Sequence, residues 1–334
     1  EDRLTKPLVR QADGKLAPVS WDEAIEFAGK KLREIREQRG GQAIGVIGSN
    51  RTTNEEAWLL QKFARTVLGT NNIDHHRTAD YPAFAAALQG KTEASLRDVG
   101  SAKAILLLGN DPTEQHPGLA WQIRTNVRLN GARLYVVNHD LIKLRRQATG
   151  FLKIREADYA AAIAYLGGDD ASLEGNGEAT KFREALRKEE SLVIAFGSEF
   201  RGREIEALVA LGAIFPNVKF ACLGDYANSR GAADMGLYPD LLPGYVPVKA
   251  AGPFGEEYGT VPSAPGLDLV QMFDAAERGE LAALYVVGAN PVARYGIDPA
   301  ALRNTFVIAQ EMFLTETAQL ADVVFPAANL YEKS

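Results

Sequence analysis

The chain has 334 residues, 46% of them hydrophobic, which is enough apolar sequence for a large core and, at roughly 150 residues per domain, for two domains. Its 37 basic and 43 acidic residues give a net charge of −6 and are mixed along the chain, which argues against nucleic acid or an anionic membrane as an electrostatic partner. Cys222 is the single cysteine, so neither an internal disulfide nor a thiolate site for zinc or an iron–sulfur cluster can form.

The hydropathy of the chain and its first residues indicate where in the cell the protein is located. No apolar run approaches the roughly 18 residues that cross a bilayer, and the first ten residues do not resemble a signal peptide. We therefore expect a cytoplasmic protein without direct membrane insertion. The chain begins without Met in a charged segment and ends just after a strand-like run, which predicts a piece of a longer polypeptide.

The first part of the chain alternates helix and strand patterns. Ser20 with Glu23 forms a capping box, and apolar residues at helical spacing follow it. Residues 43–47 form a short apolar run typical of a strand that is buried on both faces. A second capping box at Thr53 begins another helix, which Gly69 ends.

The segment from Thr70 to Leu88 comes next and is dense in reactive side chains. His75 and His76 could bind a metal, but adjacent side chains diverge and the spacing implies no third ligand. Packing or hydrogen bonding is therefore the favoured interpretation of the two histidines. Asp80 and Tyr81 follow in the same loop, so the segment is either an active site or the surroundings of one.

The remaining sequence continues the alternation, and it predicts an α/β fold because helices that cross between strands join parallel strands. The predicted strands are 102–108, 133–137, 191–196, 219–223, 283–287, 306–309 and 323–325. The predicted helices lie near 119–129, 157–166, 178–189, 205–212 and 267–278. From Asp225 to Pro265 the pattern gives way to a segment rich in Gly, Pro and Tyr, which we expect to lie across a cleft between two domains.

Four predicted strands end alike, in a glycine followed by small or polar residues, at 47–50, 108–111, 196–199 and 287–290. Ligands of parallel sheets bind outside the carboxyl ends of the strands, where glycine lets a backbone N–H approach a phosphate or ribose. Glycine and asparagine also end strands in most α/β proteins, so a nucleotide pocket and plain strand termination both stay open. The glycine motifs of a nicotinamide or ATP site are missing from the sequence.

Two other polar groups are explained by helix capping. Thr113 and Glu114 can cap a helix that follows the turn containing His116. Residues 315–322 fit one short helical turn between two strands. The sequence has no Ser/His/Asp arrangement and no nucleophile elbow, so nucleophilic catalysis is not predicted.

Together these motifs resemble the molybdopterin oxidoreductase superfamily, and within it the large iron–sulfur subunits of bacterial NADH:quinone oxidoreductase, respiratory complex I. The motifs stand in fixed order at 4–10, 20–24, 54–74, 109–117, 130–132, 231–236, 243–245, 288–291 and 313–326. The resemblance implies two parallel-sheet, Rossmann-like domains of the formate dehydrogenase type, which in that superfamily hold a bis-pterin guanine dinucleotide between them. The first domain would be discontinuous, 1–98 plus 237–334, with 99–236 inserted as the second.

The loop after Thr70 departs from the formate dehydrogenases. In those enzymes a molybdenum-binding Cys or selenocysteine and a following His occupy this loop, and an ungapped alignment places the pair on Asp80 and Tyr81. A hard carboxylate cannot replace a soft thiolate on molybdenum without changing its chemistry. By this resemblance, the former metal-ligand loop has lost both its ligand and its proton-handling His.

A second departure follows the strand 133–137. The superfamily has Asp-Pro-Arg there, with the acid reading a guanine and the Arg facing phosphates, whereas this chain has Asn138-His139-Asp140. An acid in place of that Arg repels a pyrophosphate. We therefore predict no catalytic residue, no metal and no molybdopterin guanine dinucleotide. A vestigial pocket would comprise Gly109, Asn110, Glu114, His116, Asn138, Asp140, Gly288, Asn290, Pro291, Thr315 and Asp322.

These losses favour a non-catalytic scaffold module in the peripheral arm of complex I, which supports electron transfer from NADH to quinone. Its partners would be other peripheral-arm subunits, its iron–sulfur clusters would lie in an N-terminal region outside these residues, and its location would be the cytoplasmic side of the inner membrane. The alternative is a piece of a formate-dehydrogenase-like molybdopterin oxidoreductase. A free-standing nucleotide-binding module is a third class that the glycine-rich strand ends permit.

Overall fold

The computed structural model describes residues 3–173 and 175–333 and divides the chain into two compact units. The first unit runs up to His76 and resumes at Tyr226, and the second comprises Arg77–Asp225. Within the described residues there are fifteen strands: β1 (Leu8–Arg10), β2 (Leu16–Pro18), β3 (Ile44–Ile47), β4 (Ile73–Asp74), β5 (Thr92–Glu93), β6 (Ala104–Leu108), β7 (Arg133–Asn138), β8 (Gly150–Lys153), β9 (Ser191–Phe196), β10 (Asn217–Cys222), β11 (Leu241–Leu242), β12 (Val246–Pro247), β13 (Ala283–Val287), β14 (Phe306–Glu311) and β15 (Val323–Pro326).

The same part of the chain contains fourteen α-helices: α1 (Trp21–Arg39), α2 (Asn54–Lys62), α3 (Tyr81–Leu88), α4 (Leu96–Ser101), α5 (Pro112–Gln115), α6 (Pro117–Asn130), α7 (Tyr159–Gly167), α8 (Gly177–Leu186), α9 (Arg203–Leu211), α10 (Ser229–Asp234), α11 (Gly255–Tyr258), α12 (Leu269–Glu277), α13 (Pro291–Tyr295) and α14 (Glu316–Leu320). Capping boxes at Ser20 and Thr53 begin α1 and α2 as predicted, and a π-helical stretch, Phe63–Leu68, continues α2 up to Gly69. None of the described helices is long and apolar enough to cross a membrane.

The sheet of the first unit is built from both ends of the chain. Its seven strands lie in the order β2-β1-β15-β14-β13-β3-β4. The strands from β15 to β4 are parallel, and Ala283 in β13 pairs with Ile44 on one side and Phe306 on the other. The antiparallel strands β1 and β2 were not predicted, because three residues are too few to show an alternating pattern.

Six parallel strands form the sheet of the second unit, in the order β5-β10-β9-β6-β7-β8. Alternate residues of β6 enter two different core clusters, with Leu106 packed in one and Ile105 and Leu107 in the other. Both faces of the sheet are therefore covered, which explains why these strands read as continuous apolar runs. The predicted α/β fold with parallel sheets is confirmed.

The breaks between the units differ from the predicted boundaries at 98 and 236. Helix α3 and strand β5 both precede residue 98 yet belong to the second unit. The ring of Phe84 in α3 packs edge-on against Phe196, with centroids 5.6 Å apart, and Thr92 in β5 pairs with Lys219. After the second unit, α10 joins the first unit through Ala232, which is buried in its core. These contacts are long-range, so the local pattern does not show them.

The segment Asp225 to Pro265 contains short elements that the sequence pattern did not show. They are α10, the hairpin of β11 and β12, and α11. Tyr258 at the end of α11 is buried against Trp58 of α2, and its hydroxyl accepts a hydrogen bond of 2.5 Å from Gln61. Elements of two to six residues are too short for a periodic signal. The position of the segment across a cleft stays a prediction.

Gly41 marks a close backbone approach in the first unit and yields a stability prediction. A Cβ at Gly41 would lie 2.2 Å from the carbonyl oxygen of Gly69 and 2.5 Å from that of Leu68. Because backbone cannot yield as a flexible side chain does, we expect Gly41→Ala to lower the free energy of unfolding by about 1–3 kcal/mol. Chemical denaturation measures this value.

The matched control for Gly41→Ala is Gly29→Ala, which lies on the exposed face of α1. No atom lies within 4 Å of a Cβ built at Gly29. Alanine is the better helix former, so this variant should gain about 0.5–1 kcal/mol. A Gly41→Ala variant as stable as Gly29→Ala would show that the close approach does not constrain the fold.

Candidate functional site

The carboxyl ends of β3 and β13 lie side by side in the first unit. Ile47 pairs with Val286, so the glycine-rich segments after the two strands are neighbours. The hydroxyl of Ser49 donates a hydrogen bond of 2.7 Å to the carbonyl oxygen of Gly288 and ties the two ends together. A cavity of about 510 Å³ opens beside them, and we call it the first-unit cavity.

Two guanidinium groups line the first-unit cavity. Arg51 lies over the ring of Tyr226, 5.2 Å from its centroid. Arg294 Nη2 lies 2.8 Å from His76 Nε2, and His76 Nδ1 lies 2.6 Å from the hydroxyl of Tyr295. Because a guanidinium can only donate, His76 Nε2 is the acceptor in its contact with Arg294. Arg51 thus contacts an aromatic ring and Arg294 contacts an imidazole, both at the carboxyl ends of the strands.

The other polar groups of this cavity are one carboxyl and one amide. Burial raises the pKa of Glu311, against the opposing effects of the Met312 N–H and the nearby Arg51. Asn50 is buried and donates to the carbonyl oxygen of His76 at 2.7 Å, while its Oδ1 has no hydrogen-bond partner among the described residues. Two cations and an unused acceptor suit an anionic ligand that also carries N–H or O–H groups.

The structure places most of the predicted residues of β13 to β15 in the wall of this cavity. Gly288, Asn290, Pro291 and Thr315 line it. Asn290 is engaged internally, because its Oδ1 accepts hydrogen bonds from Thr317, while Thr315 caps α14. Asp322 does not line the cavity. It accepts a hydrogen bond of 2.8 Å from the backbone N–H of Val307, and burial raises its pKa.

A separate cavity of about 230 Å³ lies within the second unit, at the ends of β6, β7 and β9, and we call it the second-unit cavity. Asn138 joins two of these ends, since its amide donates to the carbonyl oxygen of Gly109 and its Oδ1 accepts from the N–H of Asp140 at 2.8 Å. Its lining residues are Gly109, Asn110, Asp111, Gln115, Asn138, His139, Asp140, Leu141, Ile142 and Glu199. Three are acids and none is Lys or Arg, so its charge is opposite to that of the first-unit cavity.

Glu114 and His116, predicted with this group, do not line the cavity. Glu114 pairs with Lys143 at 2.6 Å on the exposed surface. Burial lowers the pKa of His116, and its Nε2 lies 3.7 Å from Asp225. The predicted cap by Thr113 or Glu114 is wrong. Helix α6, which follows His116, has no side-chain cap from the described part of the chain, whereas the preceding helix α5 is capped by Asp111, which accepts from the Thr113 N–H at 2.9 Å.

The loop predicted as a former metal site contributes to both units. In the first unit, His75 is 2% exposed, and its Nδ1 lies 2.8 Å from the carbonyl oxygen of Leu237, so it packs and hydrogen-bonds as predicted. In the second unit, Asp80 is the N-cap of α3. One of its carboxyl oxygens accepts from the Ala83 N–H at 3.1 Å and the other from the Gly202 N–H at 3.0 Å. Tyr81 is 5% exposed.

Asp80 serves as a cap in this structure, since each of its oxygens accepts one backbone hydrogen bond, and a hard carboxylate does not suit a soft molybdenum site. Within residues 3–173 and 175–333, no three His, Cys, Asp or Glu side chains are grouped so that they could hold a metal ion.

The capping role of Asp80 can be tested by substitution. We expect Asp80→Ala to lower the free energy of unfolding by about 1–2 kcal/mol, because the N–H groups of Ala83 and Gly202 lose their acceptor. Asp80→Asn should lose less, since its amide oxygen can still cap. Asp140→Asn, at an exposed carboxylate, is the control and should change stability by less than about 0.5 kcal/mol. Equal denaturation midpoints for Asp80→Ala and the parent would disprove the role.

Sequence reasoning named Asp140 but missed other charged residues that line the cavities, among them Arg51, Asp111, Glu199 and Arg294. A usable signal was present, because the first three lie within three residues of a strand-ending glycine and Arg294 follows Asn290 by one helical turn. Searching for charged residues close to the glycine-rich strand ends would have found these four.

The chain is similar in sequence to a known protein family and to several curated proteins. The profile of the family described as molybdopterin oxidoreductase matches residues 3–334. A putative formate dehydrogenase of Bacillus subtilis (strain 168) is 28% identical over the whole chain, which covers 40% of that protein. Formate dehydrogenase H of Escherichia coli (strain K12) is 29% identical over 98% of the chain and 54% of its own length. The chain therefore spans about half the length of the curated relatives it matches, or less.

One further relative and one solved structure are also similar to this chain. The F420-dependent formate dehydrogenase subunit alpha of Methanocaldococcus jannaschii is 30% identical over the whole chain and 57% of its own length. The acetylene hydratase from Pelobacter acetylenicus superposes with a TM-score of 0.63 at 17% identity, over 98% of this chain and 55% of that one. At that identity the structural match shows the fold alone.

Proposed function

Because the chain belongs to the molybdopterin oxidoreductase family, we propose that it is a module of a formate-dehydrogenase-like oxidoreductase. The names of the relatives support this proposal over the complex I scaffold that the sequence motifs favoured, since the curated relatives described above are formate dehydrogenases or putative ones. The chain spans only part of their length, so the activity of the whole protein is part of the proposal.

The observation that carries the proposal is the first-unit cavity. Arg51 and Arg294 place guanidinium groups at the carboxyl ends of β3 and β13, and Asn50 offers an unpaired acceptor. Guanidinium groups are suited to phosphate oxygens, and the amide oxygen to an N–H of a base. The family cofactor, a pterin guanine dinucleotide, carries both kinds of group and supplies redox chemistry through its metal when bound. In this proposal Arg51 and Arg294 hold its phosphates.

The residues at Asp80 and Tyr81 do not fit the metal end of that cofactor. Both oxygens of Asp80 accept backbone hydrogen bonds, and Tyr81 is buried. We therefore assign no metal ligand and no chemical step to this loop. The role proposed for the residues of the first-unit cavity is to bind and orient the nucleotide part of a ligand.

Calorimetry of the full protein with GDP as a surrogate tests the nucleotide site. The proposal expects micromolar binding that weakens with added salt, because screening reduces the attraction between guanidinium and phosphate groups. Absence of GDP binding at millimolar concentration would overturn it. That outcome would agree with the sequence-based prediction that the chain holds no molybdopterin guanine dinucleotide.

The second candidate function is the complex I scaffold, and a specific observation favours it. Asp80 and Tyr81 are used for capping and packing, which is what a pterin-fold module without a metal requires. In this candidate the partners are other peripheral-arm subunits and the location is peripheral to the inner membrane. Metal analysis of the full protein separates the two functions. Stoichiometric molybdenum or tungsten would exclude the scaffold, and its absence together with absent GDP binding would favour it.

A further inference from the structure

The second-unit cavity has a charge that does not suit the anionic ligand of the family. Asp111, Asp140 and Glu199 line it, and no lysine or arginine among the described residues does. A phosphate placed here would meet carboxylates at short range and would be repelled. Both cavities lie at the carboxyl ends of parallel strands, but the second-unit cavity is lined by acids where the first-unit cavity is lined by arginines.

Two hydrogen-bond acceptors in this cavity lack donors. Asn110 is only 1% exposed, and its Oδ1 has no partner among the described residues. Oε2 of Glu199 is also buried, and no described residue donates a hydrogen bond to it. A buried acceptor without a donor costs about 1–3 kcal/mol, so a ligand that supplies donors would recover part of that cost.

Gly197 lets the side chains of Asn110 and Glu199 approach each other. A Cβ built on Gly197 would lie 2.5 Å from Glu199 Oε2 and 2.7 Å from Asn110 Nδ2, so any larger residue would displace them. Gly109 adds to this arrangement, since its Cβ would lie 3.0 Å from the same Glu199 oxygen. The two strand-ending glycines thus make room for the Asn110 amide group and the Glu199 carboxylate side by side.

We propose that the second-unit cavity binds a small organic cation through a guanidinium or ammonium group, with Asn110 Oδ1 and Glu199 Oε2 accepting its N–H donors. Guanidinium and ammonium groups only donate, which matches a cavity whose side chains offer unused acceptors. A bare metal ion fits less well, because no group of three or more His, Cys, Asp or Glu in the described residues could hold one. The cavity of about 230 Å³ also has room for several heavy atoms.

This inference goes beyond the proposed function and does not rest on it, because the two cavities lie in different units and carry opposite charge. The probe is agmatine, which carries a guanidinium at one end and an ammonium at the other. Putrescine, with two ammonium groups, shows which end is recognised. The measurement is calorimetry on the full protein at low salt.

We expect agmatine to bind and Glu199→Gln to weaken it about tenfold, because a hydrogen bond to a charged group is replaced by one to a neutral amide. The matched control is Glu190→Gln, which removes the same charge from an exposed residue immediately before β9, the strand that Glu199 follows. It should leave the affinity unchanged. Asp140→Asn, which alters a side chain that is 78% exposed, should weaken binding two- to threefold.

Three results would overturn the inference: no agmatine binding, an equal loss in Glu199→Gln and Glu190→Gln, or competition by inorganic phosphate for the same site. A variant lacking Arg51 and Arg294 should bind agmatine like the parent. In the parent protein, agmatine binding without GDP binding identifies failure of the first-unit proposal alone, and GDP binding without agmatine binding identifies failure of this one.

Discussion

Replacing Arg65 with alanine should lower the free energy of unfolding by about 4 kcal/mol, the largest effect on stability that we expect from a single substitution in this chain. Arg65 is 0% exposed, and its five N–H donors are matched by five oxygen acceptors. The acceptors are Asn71 Oδ1, Gln61 Oε1 and the carbonyl oxygens of Gly236, Tyr238 and Leu241, at 2.7 to 3.1 Å. Burial lowers the pKa of Arg65 to about 10, so it remains a cation at neutral pH.

The loss of stability is large because truncating Arg65 leaves its buried acceptors without donors. Three backbone carbonyls of the segment 236–241 would lose their donor, and a buried acceptor without a donor costs about 1–3 kcal/mol. Water that enters the space recovers part of this cost, which brings the sum down to the expected value. Arg65 therefore fastens an irregular segment, whose own backbone bonds are few, onto the helical stretch that follows α2.

Two further variants make the Arg65 prediction specific. Arg65→Lys keeps the charge but has three donors in place of five, so it should lose about half as much stability. Arg33→Ala, at an exposed position of α1, should change the free energy of unfolding by less than about 0.5 kcal/mol. Urea denaturation of all three variants gives the comparison. An Arg65→Ala variant within error of Arg33→Ala would show that the five hydrogen bonds do not hold the segment.

The second large effect concerns binding in the first-unit cavity. We expect Arg51→Ala and Arg294→Ala each to weaken GDP binding about tenfold, and the double variant about a hundredfold, because each removes a charge-assisted hydrogen bond to phosphate. Both arginines are exposed, so neither change should disturb the fold. Loss of Arg294 also removes the hydrogen-bond donor at His76 Nε2, so a change in affinity in Arg294→Ala combines loss of the cation with a change at His76.

Arg303→Ala is the matched control for these arginines. It removes one exposed cation from the same unit without touching the cavity lining, and it should leave GDP affinity unchanged. Calorimetry at two salt concentrations separates a local contact from the general effect of net charge, since only the latter is shared by all three variants. An equal loss in Arg303→Ala and Arg51→Ala would contradict a built phosphate site.

The family could be recognised from the sequence, whereas the group within the family could not be settled there. Strand-ending glycines and capping residues such as Thr53 and Thr315 serve the fold, so proteins of different function in one family share them. The comparisons support formate dehydrogenases better than complex I subunits. Asp80 and Tyr81 instead favour the complex I scaffold, because their observed roles are capping and packing.

Local pattern was enough to predict the α/β class, most buried strands and the capping boxes that begin α1 and α2. A strand such as β6, buried on both faces, must be apolar throughout, and a cap such as Thr53 acts within four residues. One acid of the second-unit cavity was also predicted from the sequence, since Asp140 lies in the segment directly after β7.

The unit boundaries, the role of Arg65 and the cationic cavity depend on contacts between distant residues. Phe84 joins the second unit by packing on Phe196, and Arg65 finds its acceptors in a segment far along the chain. Arg51 and Arg294 line one cavity because β3 and β13 are neighbours in a parallel sheet. Periodicity reports which face of an element is buried, but not which element covers it, so contacts of this kind become visible when the chain has folded.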